Sequence, residues 1–114
     1  MSDCIFCKII NKEIPANVVY EDDIILAFHD LEAVAPQHVL IIPKVHIDNM
    51  NGITEESGAI IAHIFTKVKD IAKQLGISDS GYRIVSNCGV EGGQTVGHLH
   101  FHLAGGRQMQ WPPG

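Results

Sequence analysis

The chain reads as an α+β domain: a five-stranded antiparallel sheet with one long and one short helix. Three observations lead there. Short strand-like stretches recur at residues 18–21, 24–29, 39–42, 82–87 and 97–103. One segment only, from Thr54 to Leu75, carries a long helical period. The loops between strands are short, which favours antiparallel neighbours, with the helices packed on one face of the sheet.

The elements follow in order. Asp3 is expected to cap a first helix running to about Asn11, and Ile14-Pro15-Ala16-Asn17 breaks it. Val18–Glu21 and Ile24–His29 form a hairpin turning through Glu21-Asp22-Asp23. Val39-Leu40-Ile41-Ile42 is an almost unbroken apolar run, as in a buried central strand. Thr54 is a good N-cap, and Glu55 and Glu56 suit the positive helix start. Ile60, Ile64, Val68, Ile71 and Leu75 form the core stripe of that helix, and Gly76 ends it. His63 lies among them without a partner motif and reads as structural. Tyr82–Asn87 is the fourth strand and Gly97–Leu103 the fifth.

At 114 residues the chain has the size of one domain, spanning 1–114, and 46% hydrophobic residues supply a modest core. Net charge is −5 with no Lys/Arg cluster, so nucleic acid and anionic membrane are not expected partners. No apolar run reaches spanning length and no basic-then-apolar leader opens the chain, so a cytoplasmic protein is expected. Three cysteines cannot all pair; in a reducing compartment Cys4 and Cys7 look more like metal ligands, and Cys88 like a packing residue.

The chemistry concentrates in Gly97-His98-Leu99-His100-Phe101-His102-Leu103. Alternation puts His98, His100 and His102 on one face of a strand and Leu99, Phe101 and Leu103 on the core side. Such a row could be a solvated face, a metal chelate or a nucleophile with supporting phosphate ligands. The glycine-rich loop Asn87 to Val96 favours the last. Its glycines can turn backbone N–H groups toward an anion, Thr95 adds a hydroxyl and Gln94 an amide.

The His-φ-His-φ-His-φ run, φ being apolar, resembles the signature of the histidine triad family of nucleotide hydrolases and transferases. The likeness extends along the chain. Cys4-Ile5-Phe6-Cys7-Lys8-Ile9-Ile10 resembles the family's opening, and Ala27-Phe28-His29-Asp30 its nucleoside-binding strand end. Pro36 to His46 resembles its second histidine-bearing strand, and Gly105 to Gly114 the ending of its nucleoside-phosphoramidase branch.

The resemblance implies a purine nucleoside phosphoramidase acting through a covalent nucleotidyl-histidine. His100 is then the nucleophile, fixed in one tautomer by a carbonyl at its other nitrogen. His102 and Thr95 hold phosphate oxygens, with Asn87 and the backbone of Gly93 and Gln94 completing the cradle. His98 orients the loop, and His38 sets the charge of the triad or relays a proton. Asp30 takes the ribose hydroxyls, and Ile5, Phe6, Ile9, Phe28 and Leu31 sandwich the purine. No cofactor is expected for the chemistry itself. The alternatives are a dinucleoside polyphosphate hydrolase or nucleotidyltransferase, and a nucleotide- and zinc-binding interaction protein.

Family members that keep both cysteines resemble zinc binders using a histidine after the Pro-Lys pair and the first triad histidine. Here the set is Cys4, Cys7, His46 and His98, and the zinc would be structural. Cys-x-x-Cys on a short helix also occurs in redox proteins, and the phosphoramidase branch often lacks the first cysteine. The tail carries an isolated Trp111, too large an apolar group for a ten-residue segment to bury. A homodimer is expected, with edge strands paired and Trp111 near the partner's substrate pocket, as the family resemblance implies.

Overall fold

The unbroken apolar run at the chain's centre becomes β3 (Gln37–Pro43), buried on both faces. Around it, in a computed structural model describing residues 3–114, lies one antiparallel sheet of order β1-β2-β3-β5-β4. Its other strands are β1 (Val18–Glu21), β2 (Ile25–His29), β4 (Tyr82–Val85) and β5 (Phe101–Gly105). The register puts His38 opposite Ala104 and Leu40 opposite His102, and Arg83 in turn opposite Ala104.

Alternation sorts these strands into two cores. Ile25, Ala27, Val39, Ile41, Phe101 and Leu103 pack with Ile64, Val68 and Ile71 of α2 (Gly58–Gln74). Leu26, Phe28, Leu40 and Ile42 pack on the opposite face with Phe6 and Ile9 of α1 (Ile5–Ile10). The helices therefore cover opposite faces rather than one. This is the physical reason that β2 and β3 read as continuous apolar runs: neither face meets water.

Helix boundaries differ from expectation by a few residues. The α1 N-cap is Cys4, whose sulfur accepts from the Cys7 N–H, in place of Asp3. Regular helix in α2 begins at Gly58. Thr54 and Ser57 form a reciprocal box just ahead of it: Thr54 N–H donates to Ser57 Oγ at 2.9 Å and Ser57 N–H to Thr54 Oγ1 at 3.3 Å. Gly76, at φ 77°, ends the helix as expected. His63 is structural: its Nε2 lies 2.6 Å from Asp22 Oδ2, which also accepts from Tyr20 at 2.7 Å. Burial works against ionising Asp22. Its bonds from His63, Ile25, Tyr20 and Ile24 outweigh that cost and hold its pKa well below the ordinary carboxylate value.

The triad segment is not one regular strand. Only Phe101 onward joins the ladder, and His98 and His100 sit in the irregular run-in. Their carbonyl and ring groups are diverted to other partners, yet Leu99 still reaches the α2 core. Among the described residues no helix is long and apolar enough to cross a membrane.

Candidate active site and metal centre

The α1 face of the sheet carries the chemistry. A cavity of about 400 Å³ opens there, within the range of about 300–1,000 Å³ usual for small-ligand sites. Ile5, Phe6, Ile9, Phe28 and Leu31 line it, with Asp30, Thr95, His100 and His102. All nine were candidates from the sequence. The residues missed are Pro15, Ala16 and Asn17, read only as a helix breaker, together with His29, Glu32, Leu40 and Val96.

Hydrogen bonds select the imidazole tautomers. His100 Nδ1 lies 2.6 Å from the carbonyl oxygen of His98. A carbonyl only accepts, so Nδ1 carries the proton and Nε2 presents its lone pair. Ser86 Oγ donates to the His100 carbonyl at 2.9 Å, bracing the same residue from β4's end. Phe6 packs edge-on against the His100 ring, centroids 5.2 Å apart.

His102 has the opposite tautomer. Val34 N–H donates to His38 Nδ1 at 3.1 Å, so His38 Nε2 must bear the proton. That Nε2 lies 2.9 Å from His102 Nδ1 and 3.4 Å from Asp30 Oδ2. His102 therefore accepts at Nδ1 and donates at Nε2. Burial, then the neighbouring His100 and His38, push the His102 pKa down to about 4, while Asp30 works against the shift. Asp30, His38 and His102 are close enough to hold a metal. The Val34 amide argues against one, because it forces a proton onto the His38 nitrogen a metal would need.

The glycine-rich loop is organised by Gln94. Its amide accepts from Gly89 N–H at 3.0 Å and donates to the carbonyls of Asp48 and Val96, both at 2.9 Å. Gly93 N–H donates to Val90 O and Gln94 N–H to Gly89 O. These groups, expected to face a phosphate, instead hold the loop's own turns, so Thr95 is the polar loop residue left to the cavity, with Val96 beside it. Gly92 is required by close approach: a Cβ there would meet Cys88 O at 2.4 Å. Asn87 lines a second, smaller cavity beyond His102, and Trp111 lies 81% exposed in the tail.

Cys4, Cys7, His46 and His98 converge as the sequence suggested. His98 Nδ1 is 3.3 Å from Cys4 Sγ, 3.7 Å from Cys7 Sγ and 3.1 Å from His46 Nδ1; Cys7 Sγ is 3.3 Å from His46 Nδ1. A tetrahedral zinc with bonds of about 2.0–2.3 Å separates its ligands by about 3.3–3.8 Å. The outer nitrogens are held too: His98 Nε2 donates to Pro43 O at 3.0 Å and His46 Nε2 to Asp48 Oδ1 at 2.8 Å. Both Nδ1 lone pairs thus face one point, an arrangement that repels unless a cation lies between them. Burial pushes the His98 pKa below its ordinary value, keeping it neutral as a ligand must be. Burial and the adjacent Cys4 push the Cys7 thiol up, so its ionisation here calls for a cation. The residues fit zinc.

The fold and the histidine array define a histidine triad protein. A HIT domain model matches residues 11–109, and the chain belongs to the HIT family. An uncharacterized HIT-like protein of Synechococcus elongatus is 54% identical over 112 residues, covering 98% of this chain and 97% of the relative. A 14 kDa zinc-binding protein of Zea mays is 52% identical over 116 residues, covering 99% and 89%. The crystal structure of a HIT family hydrolase from Legionella pneumophila superposes with a TM-score of 0.96 at 51% identity, covering 98% of this chain and all of the other.

Proposed function

We propose that the protein hydrolyses purine nucleoside 5′-monophosphoramidates through a covalent nucleotidyl-histidine. The observation that carries this reading is the fixed tautomer of His100 in the cavity wall, whose Nδ1–H is held by the His98 carbonyl so that Nε2 keeps its lone pair. The apolar wall from α1 and β2 suits a purine, and Asp30 suits ribose hydroxyls.

His100 Nε2 attacks phosphorus and forms a P–N bond. The bond to the substrate amine breaks, and its electron pair leaves on nitrogen, which takes up a proton from solvent. Positive charge grows on His100, where the His98 carbonyl stabilises it. His102 Nε2–H and Thr95 stabilise the phosphoryl oxygens. Water then displaces His100, releasing the nucleoside monophosphate and returning the proton taken up in the first step.

No Lys or Arg lines this first cavity, which favours one phosphate over a polyphosphate chain. The tetrad is read as a structural zinc centre; zinc would cross-link α1, the segment after β3 and the triad run-in. The dimer is read from β4, an edge strand with Tyr82 and Val85 exposed.

The test is turnover of an adenosine 5′-phosphoramidate against a diadenosine polyphosphate. Faster phosphoramidate hydrolysis is expected. Preference for the polyphosphate would move the protein to the dinucleotide-hydrolase reading, and turnover of neither would support an interaction protein.

A further inference from the structure

Strand β5 ends at Gly105, and the chain then turns at Gly106 onto the loop between β2 and β3. Gly106 stands at φ 94°, and a Cβ there would meet Pro36 Cβ at 2.9 Å, so glycine is what lets the two segments lie this close. The next residue, Arg107, reaches back to the same loop. Its Nε donates to the Val34 carbonyl and one terminal nitrogen to the Gln108 carbonyl, both at 3.0 Å. The planar guanidinium thus ties the loop to the start of the tail.

Packing does not hold Val34. Its side chain is 62% exposed, in a stretch, residues 31–34, that is exposed throughout. Its backbone is used twice instead. The carbonyl accepts from Arg107, and the N–H donates to His38 Nδ1 at 3.1 Å. His38 is buried, and its Nε2–H in turn meets His102 Nδ1 at 2.9 Å.

We propose that Arg107 is a positioning residue for the reaction: by anchoring Val34 it keeps His38 protonated at Nε2, and through His38 it keeps His102 a donor at Nε2. The inference deepens the phosphoramidase reading above and rests on it. A neutral imidazole has one proton for two nitrogens. Once the Val34 amide drifts, the His38 proton is free to move to Nδ1. The Nε2 lone pair of His38 would then face the lone pair of His102 Nδ1, and two buried acceptors repel. His102 relieves that clash by taking its own proton at Nδ1, which removes the Nε2–H from the phosphoryl oxygens. All three links lie within one chain, and none of them requires an open surface.

The test uses Arg107→Met, which keeps the length of the side chain and loses its donors, and Arg107→Lys, which keeps one donor group. Nitrogen-15 spectra of the imidazoles read the tautomers directly. In the parent protein His38 and His102 should carry the proton at Nε2 and His100 at Nδ1. In Arg107→Met the His38 and His102 signals should move toward a mixture of tautomers while His100 stays, and Arg107→Lys should restore part of the parent pattern. For an adenosine 5′-phosphoramidate, Arg107→Met should lower kcat about ten-fold, the worth of one hydrogen bond, with the Kd of adenosine monophosphate changed less than about two-fold. Val34→Pro removes the N–H itself and should give the same mixture of tautomers. Adding Arg107→Met to it should lower kcat no further, because both act on one chain of bonds. Parent-like His38 and His102 tautomers in Arg107→Met would overturn the inference, whatever happens to kcat, and they decide it alone should Val34→Pro not fold. An additive loss in the double variant would also overturn it, since Arg107 would then act by another route. No turnover of the phosphoramidate by the parent protein would instead remove the underlying reading, while the tautomer spectra would still decide the link from Arg107 to His102.

Discussion

The His100 ring is tied by its Nδ1 to the carbonyl oxygen of His98, 2.6 Å away, within the same turn of chain. The side chain of His98 meanwhile faces Cys4, Cys7 and His46. One peptide unit therefore links the Cys4, Cys7, His46 and His98 tetrad to the imidazole proposed to react. Whatever fixes His98 fixes the tautomer and direction of His100. Two residues on, His102 is held by a separate chain of bonds, from Val34 through His38, into the complementary donor state.

Asp30 should determine the preference for ribose. Its Oδ1 accepts from Glu32 N–H at 2.9 Å, which orients the carboxylate at the cavity wall. Asp30→Ala is expected to weaken adenosine monophosphate binding by about 1–3 kcal/mol. The deoxyribose analogue should then bind as well as the ribose one. Calorimetric titration of both ligands checks this; an undiminished ribose preference in the variant would remove Asp30 from the contact.

Zinc should copurify at about one ion per chain, and the Cys4→Ser, Cys7→Ser double variant should lose it. Elemental analysis reads the metal directly. Thermal unfolding should drop in the variant and in chelated parent alike, because the tetrad joins segments 94 residues apart in sequence. A metal-free parent with the same melting temperature as the zinc-supplemented one would leave the cysteines as packing groups.

His102 should make stability depend on pH in a defined window. Its folded pKa of about 4 lies below the ordinary 6.5. As pH falls through 6.5 the unfolded chain gains a proton that the folded chain refuses until about pH 4. The contribution is therefore full above pH 6.5 and is lost on the way down to pH 4. Urea midpoints measured across that range should fall less steeply in His102→Gln. Below about pH 4 a second loss is expected from Asp22, whose pKa is also depressed. Parallel profiles for parent and His102→Gln would contradict the first assignment.

Assembly gives a further expectation. Sedimentation at micromolar concentration should return twice the 12.5 kDa chain mass. Trp111→Ala should keep the dimer but change the ranking of bulky leaving groups, since the tail residues Met109 and Pro113 already line the second cavity. A monomer, or an unchanged ranking, would tell against the tail's role.

Local pattern made much of this legible. The unbroken apolar run predicted β3, alternating histidines located the reactive face, and Cys4-x-x-Cys7 found half of the tetrad. The helices cover opposite faces of the sheet rather than the one face expected, and full burial of β2 and β3 is the pattern that requires it. Long-range partners left no local signal. The Val34 amide, the Pro43 carbonyl and the Asp22–His63 pair acquire meaning only when the chain folds back on itself. Gln94 looked like a ligand because polar loop residues can face either solvent or their own backbone, and here three backbone groups claim it.

The central claim is two displacements at phosphorus with His100 as the intermediate carrier. Hydrolysis of a P-chiral adenosine phosphorothioamidate in oxygen-18 water tests it most directly, with His100→Ala as the control. Two in-line steps predict overall retention of configuration at phosphorus, and the variant should lose turnover by at least about a thousand-fold while still binding adenosine monophosphate. Inversion in the parent protein would mean that water attacks phosphorus directly, and would contradict the covalent account.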